Sequence, residues 1–166
     1  MAIQEYDPRK NSISWLGADI TGVADGTYIT ITPNADLATY TVGAQGDSAC
    51  SINPDLSATV EITLLQNSPD NLTLTAILNK FHLGTSDFPT GAMVIRDPSA
   101  PFIPILEGVR LQARPTYERA QEQVNVVWRF HAAKYTQLEQ TSASSEYLSK
   151  FLAASTALDA LSDLLS

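Results

Sequence analysis

Two histidines, one cysteine and a scatter of acids are the residues of this chain that could do chemistry. His82 and His131 lie far apart, and no histidine or cysteine stands at ligand spacing from either, so no transition-metal site is predicted. Cys50 has no second cysteine to pair with, which excludes an intrachain disulfide and a thiolate cluster and fits a reducing cytosol. A catalytic triad would need one histidine beside a serine and an acid. The sequence carries no nucleophile elbow, phosphate loop or dinucleotide glycine fingerprint to mark one. Asp19, Asp25, Asp36, Asp47 and Asp55 are too widely spaced for a calcium loop. Asn71-Leu72-Thr73 fits a glycosylation sequon but falls in a predicted helix. The expectation is a protein without catalytic, cofactor or metal residues, hence not an enzyme.

The chemistry that remains is electrostatic. The chain has 166 residues and a formal charge of −8, spread unevenly. Residues 1–79 hold nine acids and two bases, whereas residues 80–166 hold nine and eight. Between Asn11 and Asn79 there are seven acids and no Lys or Arg. Such a surface cannot grip a polyanion, because binding to nucleic acid comes largely from cations that neutralise phosphates. Arg110, Arg114 and Arg129 fall on polar faces of predicted strands. Two readings stand for them: local pairing with acids such as Glu107, Glu118 and Glu122, or complementarity between the basic face of one subunit and the acidic half of another. A hydrophobic fraction of 44% with only 17% charged residues predicts a globular core, and two readings stand for the low charge: a surface partly buried against copies of itself, or a Thr/Ser-rich monomeric β-protein.

The elements that must position these residues read as mainly β. Residues 1–11 form a polar arm, not a signal peptide. Short strands are predicted at 12–16 and, by strict alternation, at 28–32 and 38–42. A turn region lies between Gly17 and Gly22, and Asp25-Gly26 marks a hairpin-type turn. A long polar loop spans 43–57. Residues 58–65 give the clearest strand, with Ala58, Val60, Ile62 and Leu64 on one face and Thr59, Glu61 and Thr63 on the other. Ser68-Pro69 opens a helix over about 69–82, with Leu74, Ile77, Leu78 and Phe81 turned inward. Further strands are predicted at 92–96, 102–106, 109–113 and 124–131, with Pro104 confining the second to an edge. Trp15 and Trp128 read as core or interface anchors. Serine-rich residues 141–145 form a linker to an amphipathic helix over about 146–165, striped by Leu148, Phe151, Leu152, Leu158, Leu161 and Leu165. This divides the chain into a β-domain with its arm (1–140) and a linker with a C-terminal helix (141–166). No apolar run reaches the ~18 residues of a membrane span.

A succession of short motifs adds a resemblance. Tyr6-Asp7-Pro8-Arg9-Lys10 leads into Ser14-Trp15 and Gly17, then Ile20-Thr21-Gly22, Ala24-Asp25-Gly26-Thr27-Tyr28-Ile29 and Thr41-Val42-Gly43-Ala44-Gln45-Gly46. Leu64-Leu65-Gln66-Asn67-Ser68-Pro69-Asp70-Asn71 precedes the helix. Over residues 5–135 this order resembles the tail tube proteins of contractile-tailed bacteriophages, whose architecture the type VI secretion tube protein shares.

The resemblance implies two packed antiparallel sheets, a sandwich or barrel with a flanking helix. It implies a structural virion protein whose hexameric rings stack into a hollow tail tube, assembled in the host cytoplasm. Its partners would be copies of itself, the tail sheath, the baseplate and the tail terminator, with double-stranded DNA passing through unheld. On that reading Thr30, Thr32, Thr39, Thr41, Thr59, Glu61 and Thr63 are lumen candidates, although a shift in strand phase would invert the choice. Gly43, Gln45, Gly46, Asp47, Ser51, Asn53 and Asp55 are ring-stacking candidates. Arg110, Arg114 and Arg129 are inter-subunit charge candidates. A baseplate or tube-initiator protein of the same fold, and a monomeric β-sandwich binding module, are the alternatives.

Overall fold

The computed structural model describes residues 6–84 and 89–139. The predicted helix over 146–165 and its linker lie outside the described residues.

Ten strands and one helix account for most of the described chain. After a single 3₁₀ turn (Pro8–Lys10), β1 (Ser12–Trp15) and β2 (Ala18–Ile20) form a tight hairpin. Leu16 and Gly17 make its turn, both at positive φ (54° and 76°). This two-residue form matches the twist of the flanking strands. The region read as a turn around Asp19 and Ile20 is therefore a strand. β3 (Ile29–Pro33) pairs with β6 (Ala58–Leu64). Between them β4 (Ala38–Val42) and β5 (Ser48–Ile52) form a separate two-stranded ribbon. The second half of the chain supplies β7 (Gly91–Arg96), β8 (Phe102–Ala113), β9 (Val126–Ala132) and β10 (Lys134–Glu139).

The large sheet runs β2-β1-β7-β8-β9-β6-β3, with β10 also on β8. β8 is the strand both layers share. Its first half lies between β7 and β10, and its second half pairs with β9. The change of layer occurs at Gly108 (φ +62°), opposite Ala133, whose N–H donates to the Glu107 carbonyl at 3.0 Å. A Cβ on Gly108 would sit 2.9 Å from that of Ala133, so both the dihedral and the close approach call for glycine. Strands 102–106 and 109–113 of the sequence reading are thus one bent strand.

The core fills the space between the layers. β6 alternates buried and half-buried residues along its whole length, and Val60, Ile62 and Leu64 meet Trp128 and Phe130 of β9 and Ile13 and Trp15 of β1. Trp15 packs edge-on against Phe130, with centroids 5.1 Å apart, and its indole N–H donates to the Val109 carbonyl. Both tryptophans are core residues. The helix α1 (Asp70–His82) closes one flank through Leu74 and Leu78. Its carboxylate at Asp70 accepts from the Thr21 backbone N–H (2.6 Å) and hydroxyl (2.9 Å), which ties the helix start to the end of β2. Ser68, expected as the N-cap, mainly donates to the Thr21 carbonyl (3.0 Å). Phe81, expected inward, is 43% exposed.

Candidate assembly surfaces

Three surfaces are left uncovered among the described residues. The first is the outer face of the layer β8-β9-β6-β3. Strand phase is fixed by the buried residues of β6 and β9, so their alternate residues turn to solvent. The register sets Thr30, Glu61 and Arg129 in one row, and Thr32, Thr59, His131 and Arg110 in the next. Thr63 stands beyond Glu61 on the same strand face. Five of the seven lumen candidates therefore share one face, whereas Thr39 and Thr41 lie on the separate ribbon. The face is not free of cations. Arg129 Nε and Nη2 donate to Glu61 Oε1 at 2.9 and 2.6 Å. Glu61, one of the seven acids of the base-free stretch, thus meets an arginine of its own chain. The pair is half-exposed and contributes about 0–1 kcal/mol to stability. Arg114 turns elsewhere, with Nη2 3.4 Å from Asn79 Oδ1 on α1.

The second surface is the ribbon. Residues 43–57 were expected as a loop, but Ser48–Ile52 is a strand. The residue signal that points to it is the apolar set it shares with β4. Directly opposed pairs Ala38↔Ile52, Tyr40↔Cys50 and Val42↔Ser48 stand on one face, and Thr39↔Ser51 and Thr41↔Ala49 on the other. The first face is largely apolar and lies open, with Tyr40 72%, Val42 69% and Ile52 84% exposed. A lone two-stranded ribbon is marginal in water, and exposed contiguous apolar surface marks an interaction site. Gly43, Gln45, Gly46 and Asp47 form its tip, closed by the Gly43 N–H donating to the Asp47 carbonyl at 2.7 Å.

Ser51 lies within the strand, and Asn53 and Asp55 at the ribbon's root. There Asn53 Oδ1 accepts from the Asp55 N–H and Asp55 Oδ1 from the Ser57 N–H. That N–H and the Ser57 hydroxyl hold the Asp55 carboxyl below the usual carboxylate range. Asn34 locks the root to β6 through the hydroxyls of Ser57 (2.9 Å) and Thr59 (2.8 Å). A groove of about 690 Å³ runs between the root and β10, lined by Pro33, Leu37, Tyr40, Leu56 and Tyr135 among others.

The third surface is a pair of open strand edges. The Thr63 N–H donates to the Tyr28 carbonyl and the Asn34 N–H to the Ser57 carbonyl. The even-numbered residues of β3 therefore face β6, and Ile29 and Ile31 turn their backbone groups outward. At the far side of the same layer, β7 pairs no further along β8 than Val109, so residues 110–113 carry no ladder on that side.

Among the described residues no three His, Cys, Asp or Glu side chains cluster to hold a metal, and no helix is long and apolar enough to cross a membrane.

A largely β domain with an exposed ribbon and open strand edges leaves apolar and hydrogen-bonding surface uncovered. Residues 12–143 match the family described as bacteriophage PhiTE tail tube protein. The chain belongs to this tail tube family. It is thus a structural protein of the phage tail, a component of the virion. No curated protein matches the sequence. Among solved structures, the tube-terminating cap of the anti-feeding prophage shares the fold, with a TM-score of 0.58 at 8% identity, covering 84% of this chain and 95% of the cap. At that identity the likeness extends to the fold alone.

Proposed function

We propose that this tail tube family member is the repeating, non-enzymatic subunit of the tube itself: copies close into hexameric rings, rings stack, and double-stranded DNA passes down the lumen into the host. The ribbon carries this reading, because its open apolar face has no role in a lone chain and suits a neighbouring ring. The outward edge of β3 and the bare edge of residues 110–113 belong to one layer, so a second copy can add its β3 beside β8. Such a head-to-tail contact leaves no free edge once a ring closes. The polar outer face of that layer then lines the channel, rich in threonine, with the charge of Arg129 compensated by Glu61 and Arg110 left exposed. Sheath, baseplate and terminator proteins are the further partners, and assembly takes place in the host cytoplasm.

Negative-stain electron microscopy of the purified protein across a concentration series tests this. Hollow tubes with six-fold rings are expected. A chain that stays monomeric at high concentration, even when tail baseplates are added as nuclei, refutes it. A second reading, a terminal ring that caps the tube, draws on the likeness to the anti-feeding prophage cap. It predicts single rings that never lengthen.

A further inference from the structure

The outer face of β8-β9-β6-β3 brings together charges that the sequence keeps apart. Glu61 is acidic in a stretch without bases, yet both donor atoms of Arg129 that reach it converge on its Oε1. The pair's side chains are 51% and 38% exposed, so the contact adds little to folding while cancelling a cation that would otherwise face solvent. One row along, Arg110 is exposed opposite His131 and makes no ion pair among the described residues.

We propose that Glu61 is a built-in counterion that withholds Arg129 from DNA phosphates, leaving Arg110 as the cation this face offers to double-stranded DNA. The inference rests on the reading of this face as the channel wall. An unpaired arginine would neutralise phosphate and release counterions, which slows a strand that must slide. An arginine bonded to a carboxylate has its charge compensated and two of its donor nitrogens engaged, so it has less to offer a phosphate. The pair thus lets the strand keep arginine's packing without its grip.

The test is fluorescence anisotropy of a short labelled DNA duplex with the purified full chain, titrated at a series of KCl concentrations. Glu61→Gln is expected to tighten binding several-fold at low salt and to steepen the salt dependence, by up to about 0.9 in log–log slope for one added phosphate contact. Glu61→Gln combined with Arg129→Gln should return to wild-type behaviour, and Arg110→Gln should bind more weakly with a shallower slope. Thermal unfolding checks that each variant folds. Wild-type affinity and slope in folded Glu61→Gln would overturn the counterion role. That result beside wild-type tubes in the microscope removes this inference alone, whereas an absence of tubes removes the conduit reading on which the inference rests.

Discussion

Ile52→Thr isolates the role of the ribbon. In a single chain Ile52 is 84% exposed, so its apolar end contributes almost nothing to folding. Threonine keeps the β-branch that suits a strand, and the monomer's stability should stay within about 0.5 kcal/mol of wild type. If a neighbouring ring covers the face formed by Tyr40, Val42 and Ile52, the variant loses the burial of about two methylene equivalents. At about 0.8 kcal/mol each this is roughly 1.6 kcal/mol per contact. Since about 1.4 kcal/mol is a tenfold change, the critical concentration for assembly should rise about 15-fold. Sedimentation of assembled against free protein over a dilution series measures this, with thermal unfolding of the dilute chain as control. Thr41→Ser, on the polar face of the same ribbon, should leave both readouts in place. An unchanged critical concentration in Ile52→Thr, with unfolding also unchanged, would refute burial of this face on assembly.

Trp128→Phe removes the indole N–H that donates to Asn71 Oδ1 at 2.8 Å and should cost about 1–3 kcal/mol in urea unfolding; a loss under about 0.5 kcal/mol would show that the bond is not needed. Gly108→Ala should destabilise by at least about 1–2 kcal/mol from the left-handed backbone, and adding Ala133→Gly should recover only the steric excess. The Asp55 carboxyl has a lowered pKa in the folded chain, so its bonds from Ser57 favour folding above the ordinary carboxylate range, and this support fades as pH falls through the lowered value. Carboxyl chemical shifts followed down to acid pH should show Asp55 titrating below the ordinary carboxylate range, and Ser57→Pro, which removes the donor N–H, should move it back up.

Much of the large sheet could be read from alternation, because β6 and β9 bury one face, β3 half-buries one, and all three leave the other more open to water. The helix start was legible at Ser68-Pro69 for a local reason, the lack of need for an N–H at a first helical residue. The missed elements share a different cause. β5 is Ser-Ala-Cys-Ser-Ile, with no buried residue to create a pattern, and its partner strand alone defines it. β2 is three residues long and follows a turn that only its pairing with β1 reveals. β10 depends on β8 in the same way.

Pro104 was expected to confine its strand to an edge. Instead β8 is flanked at Ile105 and Leu106 by both β7 and β10. The β7 ladder ends at Val94↔Ile105, one residue short of the proline, so the missing N–H has no ladder position to fill. On the candidate lumen face, which side of each strand turned outward was legible. The Glu61–Arg129 pair was not, because it joins residues from opposite halves of the sequence and only the β6–β9 register sets them side by side.

That same register has a consequence on the ribosome. β6 is finished early in synthesis, but its second neighbour β9 ends only at Ala132, and β1 likewise waits for β7. At translation rates of about 5–20 residues per second, the nascent chain holds one edge of this deeply buried strand unpaired for several seconds. β3 covers the other edge from the outset, and at one end of its own outer border Pro33 offers no N–H to a stray strand, so the open groups there are those of Ile29 and Ile31. In a cell making many copies on crowded polysomes, that early β3–β6 pairing narrows what a growing chain exposes to its neighbours.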